Sequence, residues 1–248
     1  MDDLTGRVAA FGPFFEFGVH AAGTSPAPPW HGMDELLADP LSHVMLVRTR
    51  LAAASGREPT AVEVRVAASV AHLGLVARLV APFLGAVALA GEPPSAGPLD
   101  IPPDIWWQPE RGGAFPLSMS EDALSEDALS EDALSGDAGR PAGVVRLLEG
   151  PVQELSEAFA RLRVSPLILR GNVASAVNGA ATAITRAAPA QPAGRRALTI
   201  AVSLYEHPAL RGAATVAPDG TSFRRRSCCL IYRAAPGTLC GDCILRPR

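Results

Sequence analysis

The chain has 248 residues, of which 48% are hydrophobic and 19% are charged, and this composition is ordinary for a soluble globular protein. Its net charge is −3 and every cation is an arginine, but no basic stripe is interleaved with aromatic residues, which argues against nucleic-acid binding. The acidic start is unlike a secretory signal, and Arg78 divides the apolar region 66–91 into runs too short to span a bilayer. We therefore expect no membrane span, and peripheral membrane contact is left open.

The first part of the chain predicts helices. Asp39 followed by proline is a typical helix start, and residues 60–63 fit a capping box that opens a long apolar helix. Pro82 is expected to kink or end this helix. We interpret His72 as a hydrogen-bonded core residue and not as a metal ligand. A spacing of three or four residues predicts one buried stripe, formed by Val62, Val66, Val70, Leu73, Val76 and Val80.

Residues 91–118 are rich in loop-forming residues, and the Trp106-Trp107 pair within them predicts either closure of a core edge or a stacking contact with a ligand. Residues 120–134 are three copies of Ser-Glu-Asp-Ala-Leu. A five-residue period spreads the leucines over different faces of a helix or a strand, so neither structure buries them together. We predict that residues 118–140 are a mobile acidic insertion, with an acidic docking loop as the alternative.

Further helices are predicted from Pro151, over the small residues that begin at Gly171, and over residues 195–206. Residues 214–217 and 221–223 are joined by Pro-Asp-Gly, which predicts a β-hairpin that leads to the end of the chain.

All four cysteines lie within sixteen residues, in the spacing Cys-Cys-x10-Cys-x2-Cys: Cys228, Cys229, Cys240 and Cys243. This crowding predicts a metal site, because a disulfide framework joins distant parts of a chain. Zinc modules usually have two Cys-x2-Cys pairs, and only the second pair here has that spacing. The side chains of the vicinal pair tend to diverge, which suits a binuclear cluster at least as well, and four thiolates are the full ligand set of a [2Fe–2S] centre. Spacing alone leaves both metals open.

The segments 223–233 and 236–243 resemble the cluster-binding end of the siderophore-iron reductases of the FhuF type, which hold an unusual [2Fe–2S] cluster on the same cysteine spacing. Weaker resemblances occur at residues 66–79 and 171–175. Directly before the second of these stretches, this chain has Arg170 where the family typically has tryptophan. The resemblance implies that all four cysteines bind a [2Fe–2S] cluster. It also implies an α+β fold, with a predominantly helical body over residues 1–212 and a hairpin and loop module that binds the cluster over residues 213–248.

The resemblance further implies an oxidoreductase that reduces the ferric iron of a siderophore complex by one-electron transfer and releases ferrous iron in the cytoplasm. No catalytic residue is expected beyond the cluster. The chain has no dinucleotide fingerprint, so we expect a ferredoxin or a separate reductase as the electron donor. Thiolate ligands and the missing signal agree with a reducing cytoplasm. The alternatives are a [2Fe–2S] electron carrier or sensor without its own ferric substrate, and a siderophore-binding protein with a structural zinc module.

Positive charge concentrates beside the cysteines, because residues 221–248 hold six arginines and one acid. Arg224, Arg225 and Arg226 precede the first cysteine, and Arg233 follows the second. Guanidinium groups near a negatively charged cluster favour its reduced state and attract an acidic donor or an anionic ferric complex. Alternatively, these side chains only solvate the edge of the hairpin.

Overall fold

The structure, a computed structural model, describes residues 2–89, 105–109, 115–120, 142–189, 191–234 and 239–246. The strands are β1 Gly18–His20, β2 His31–Gly32, β3 Ile105–Trp107, β4 Leu117–Ser120, β5 Ala214–Val216 and β6 Phe223–Arg225. The α-helices are α1 Asp2–Ala9, α2 Met33–Ala38, α3 Pro40–Ala54, α4 Val64–Leu89, α5 Ala142–Glu149, α6 Pro151–Ala160, α7 Pro166–Ala187, α8 Pro192–Tyr205 and α9 Ile231–Ala234. The predicted α+β fold with a predominantly helical body is confirmed.

Helix α4 is the centre of the core and packs against α7, α3, α8, α6, α5 and α1. Its side chains are buried on nearly all sides from Val66 to Ala88, so the prediction of a single buried stripe is wrong; Val70 and Leu73, both assigned to that stripe, remain partly exposed. Among the described residues, α4 alone is long and apolar enough to cross a membrane, but 78% of its apolar window is buried inside the fold. A core helix has the same properties.

Both predicted ends of α4 differ from the structure. Pro59–Ala61 forms a 3-10 turn and α4 starts at Val64, so residues 60–63 are not a capping box at its N-terminus. The helix also continues through Pro82. Phe83 and Leu84 follow the proline and are buried. Burial of two large apolar side chains is worth about 4 kcal/mol, which offsets the roughly 3 kcal/mol that a proline costs inside a helix.

A four-stranded sheet in the order β1-β4-β3-β2 was not predicted from the sequence. It contains part of the segment assigned to the acidic insertion, because residues 118–120 are buried in β4 and pair with β1 and β3; residues 121–140 lie outside the described residues. Trp107 is buried in β3 with its ring 5.1 Å from the ring of His43, as the core-edge interpretation predicts. Trp107, His31 and His43 together line a cavity of about 320 Å³.

Helix α7 begins at Pro166, where Ser165 caps it, so Gly171 lies inside the helix and does not open it. The small residues of α7 allow close packing against α4. A chain of buried hydrogen bonds crosses this contact: Asn172 Nδ2 lies 3.3 Å from His72 Nδ1, and His72 Nε2 lies 3.0 Å from Ser156 Oγ in α6. Burial and the charge of Arg225 lower the pKa of His72 to about 3, so the imidazole is neutral. The interpretation of His72 as a hydrogen-bonded core residue is confirmed.

Gly171 is the point at which α7 touches the C-terminal module. A Cβ at this position would lie 2.9 Å from Arg225 Nη2 and would overlap Ser227 Oγ, so the contact requires glycine. Gly179 lies two turns further along the same helix and has no neighbour within 4 Å of such a Cβ.

We expect Gly171→Ala to lower the free energy of unfolding by about 1–3 kcal/mol through overpacking. Gly179→Ala should raise it by about 0.5–1 kcal/mol, because alanine is the better helix former. Urea unfolding of the iron-loaded protein measures both values. Equal effects of the two substitutions would show that α7 and the module do not meet at Gly171.

Candidate metal centre

The hairpin that leads to the cysteines is present as predicted. Strands β5 and β6 pair antiparallel, with Ala214 opposite Arg225 and Val216 opposite Phe223. The Phe223 ring lies 5.4 Å from the ring of Tyr205 in α8, which holds the hairpin on the helical body. Because side chains alternate along a strand, Arg225 enters the protein, whereas Arg226 just after the strand is exposed.

The vicinal cysteines lie in a tight turn between β6 and α9. Leu230 has a φ of 68°, a left-handed conformation that is costly for a branched residue, and its N–H lies 3.3 Å from Cys228 Sγ. Ser69 of α4 donates a hydrogen bond of 2.8 Å to the carbonyl oxygen of Cys229. The turn thus directs the two thiols differently, and Cys229 is buried whereas Cys228 is partly exposed.

The second pair lies in a turn closed by a hydrogen bond of 3.2 Å from the N–H of Cys243 to the carbonyl oxygen of Cys240. The N–H of Leu245 lies 3.4 Å from Cys243 Sγ. The carbonyl oxygen of Asp242 accepts from the N–H of Arg225 at 3.3 Å, and this bond brings the turn against β6. Cys243 is buried and Cys240 is partly exposed, so each pair has one inner and one outer thiol.

The four thiols lie close enough to affect each other's ionisation. The Cys240 thiol donates a hydrogen bond to Cys229, which lowers the pKa of Cys229 and raises that of Cys240. Burial raises the pKa of Cys228, and the charges of Cys229 and Cys243 add to that shift. Across the part of the chain that the structure describes, no three His, Cys, Asp or Glu side chains form a group able to hold one metal ion. A direct thiol contact, between Cys229 and Cys240, joins the two sequence pairs.

Arg225 supplies an independent test of whether this site suits an anionic group. Its side chain is 1% exposed, and Nη2 donates to Asn172 Oδ1 at 2.7 Å and to the carbonyl oxygen of Ile168 at 3.3 Å. Its Nε and Nη1 are buried and have no hydrogen-bond partner among the described residues. A buried guanidinium without a counter-charge is costly, so the site has a place for negative charge. A cluster held by four thiolates carries such charge, and the residues therefore fit it.

The other three arginines have different surroundings. Arg224 Nη2 donates to the carbonyl oxygens of Ile244 and Arg246, at 2.5 and 2.8 Å, and so holds the segment after Cys243. Arg233 forms an ion pair of 2.6 Å with Glu63. Arg226 is exposed, with Nε 3.4 Å from Thr215 Oγ1. The structure therefore brings Arg225 to the thiols and leaves Arg226 at the surface.

The family model of the FhuF 2Fe-2S C-terminal domain matches residues 225–243. Residues 225–243 are therefore similar to the [2Fe–2S] domain of the FhuF type. The resemblance and the [2Fe–2S] cofactor that it implied are thereby confirmed, and the zinc alternative is set aside. The match begins at the buried Arg225 and ends at Cys243, so the FhuF-type domain spans the hairpin end and both cysteine pairs. The chain matches no curated protein and no solved structure.

Sequence reasoning missed the side of the FhuF-type site that the helical body supplies. Ser69 holds the vicinal turn, Asn172 accepts from Arg225, and Gly171 makes room for the contact. The one available signal was the Gly-Asn dipeptide within the weaker resemblance at residues 171–175. The boundary predicted between residues 212 and 213 stays a prediction, as do the four cysteine ligands.

We expect each of the four single substitutions of cysteine by serine to reduce the iron content well below about two atoms per chain, because a [2Fe–2S] centre uses four thiolates. Iron analysis and visible absorption of anaerobically purified protein check this. Full iron content and unchanged electron paramagnetic resonance in Cys229→Ser would remove the vicinal pair from the ligand set.

Arg225→Gln should lower the reduction potential of the cluster by several tens of millivolts, because loss of a nearby positive charge disfavours the more negative, reduced state. Arg225→Lys keeps the charge and should restore most of the potential. Arg226→Gln is the exposed control; it should leave the potential unchanged and weaken the salt dependence of reduction by an acidic donor. Equal potentials of the wild type and an iron-loaded Arg225→Gln variant would contradict this role of Arg225.

Proposed function

We propose that this iron–sulfur protein is an oxidoreductase that reduces the ferric iron of a siderophore complex by one electron. The observation that carries the proposal is the pairing of partly exposed thiols with a buried cation: Cys228 and Cys240 reach solvent, while Arg225 is buried and its charge acts on both thiols. An exposed edge permits electron exchange with an external complex. A buried positive charge favours the acceptance of an electron.

The bound [2Fe–2S] cluster supplies one electron at a time. The ferric ion of the substrate gains that electron and becomes ferrous, and a donor then returns one electron to the protein. Siderophore oxygens bind ferrous iron less tightly because they are hard ligands that prefer the trivalent ion, so reduction releases the metal. The residues of this chain position the thiolates, exclude water from Cys229 and Cys243, and stabilise added negative charge through Arg225.

A ferredoxin or a separate reductase is proposed as the donor. Three large exposed hydrophobic side chains lie within three residues of a cysteine: Tyr232 at 39% exposure, Leu239 at 37% and Leu245 at 52%. The exposed cations Arg226 and Arg246 belong to the same segment. Small interfaces with an apolar centre and basic rim suit transient contact with an acidic redox protein. The Arg226→Gln variant tests this donor, and we propose the cytoplasm as the compartment.

The reductase function is tested with protein reduced by dithionite, freed of excess reductant and mixed anaerobically with ferric complexes of a tris-hydroxamate, a tris-catecholate and citrate. We expect stoichiometric reoxidation by a siderophore complex, with about one ferrous ion trapped per cluster. Arg225→Gln, with its lower potential, should still transfer the electron. If no siderophore complex reoxidises the protein while ferricyanide does, the chain is an electron carrier or sensor without its own ferric substrate.

A further inference from the structure

A cavity of about 290 Å³ lies between α6, α7 and the segment that precedes β5. Its floor is apolar and includes the buried side chains of Leu169, Val173 and Leu210. Its rim includes the exposed residues Ala160, Arg170 and Ala209. A concave site with an apolar floor and few polar groups is typical of small-molecule binding.

Two walls of the cavity are joined along the chain to residues that contact the segment before the cysteines. Leu169 and Arg170 lie between Ile168, whose carbonyl oxygen accepts from Arg225, and Gly171, which touches Ser227. On the other wall, Leu210 is three residues before Ala213, whose carbonyl oxygen accepts from the N–H of Arg226 at 2.9 Å. Each wall is thus within one to three residues of a contact with the segment that leads into Cys228.

A hydrogen-bond chain also connects the cavity with the metal centre. Ser156 lines the cavity and donates to the carbonyl oxygen of Val152 at 2.8 Å, so its oxygen accepts from His72 Nε2. His72 Nδ1 then accepts from Asn172 Nδ2, and Asn172 Oδ1 accepts from Arg225. Arg225, Asn172, His72 and Ser156 each donate a hydrogen bond to the next acceptor in this chain. The chain thus links the α6 wall of the cavity to Arg225.

The rim offers one cation for recognition. Arg170 makes no hydrogen bond or ion pair with the other described residues, whereas the rim carboxylate of Glu157 accepts from Gln153 at 2.9 Å. A guanidinium presents several N–H donors in a planar fork that matches the oxygens of a chelating group. The sequence alone singled out Arg170 only as a departure from a typical tryptophan.

We propose that this cavity binds the ferric complex, with an aliphatic part of the chelator on the floor of leucine and valine side chains and a chelator oxygen at Arg170. The proposal rests on the proposed reductase function, since it gives that substrate a site whose walls adjoin, along the chain, the residues that contact Arg225 and Arg226.

Binding is tested without electron transfer by titrating the iron-loaded protein with gallium(III) complexes of a tris-hydroxamate, a tris-catecholate and citrate. Gallium(III) has the charge of ferric iron and is not reduced under these conditions. We expect at least one complex to bind the wild type. Ala160→Trp, which fills the cavity from an exposed position, should raise its Kd about tenfold or more, and Arg170→Ala about two- to fivefold.

Ala187→Trp and Arg186→Ala are the matched controls. Both residues are exposed and lie about 24 Å from Arg170 along α7. They should keep Kd within about twofold of the wild type. An unchanged Kd in Ala160→Trp would contradict binding in this cavity and leave the proposed reductase function untouched. The same holds if the wild type reduces ferric complexes but binds no gallium complex. Weakened binding in Ala160→Trp by a protein that transfers no electron would uphold the cavity and reject the reductase.

Discussion

The contact between the C-terminal module and the helical body depends on one buried charge. Arg225 extends from β6 into the contact between the FhuF-type domain and the body, where it has acceptors on α7 but no carboxylate partner among the described residues. A guanidinium cannot lose its proton in a protein, so burial leaves it with an unmet need for negative charge. Thiolates that hold the [2Fe–2S] cluster would meet that need. Arg225 would then couple loading of the cluster to docking of the domain on the body.

The body is adapted to this charge along a single line of contacts. Gly171 has no side chain, which lets Arg225 and Ser227 approach α7. Asn172 orients its amide so that the oxygen faces Arg225 and the nitrogen faces His72 and Ser69. His72 stays neutral in this setting, and so it accepts one hydrogen bond without placing a second cation near Arg225. Core packing and the position of Arg225 thus depend on the same residues.

The metal centre divides into an inner and an outer half. Cys229 and Cys243 are buried, and Cys229 contacts Ser69 of α4, whereas Cys228 and Cys240 are partly exposed. The inner half fixes the position and charge of the site, because its neighbours belong to the core. The outer half is the part that solvent reaches, so the proposed donor and ferric complex would meet the cluster there.

The sequence by itself indicated a metal site, because four cysteines crowded within sixteen residues need no long-range contact to be recognised, and its resemblance to the FhuF type indicated a [2Fe–2S] cluster. It also determined the hairpin and most helices, since turn residues and apolar spacing act locally. Only the tertiary structure decided that α4 runs through Pro82, that residues 118–120 belong to a strand, and that Arg225 alone among four neighbouring arginines is buried beside the thiols. These outcomes depend on packing partners far apart in the chain, such as Asn172 for Arg225, and no local pattern records such partners.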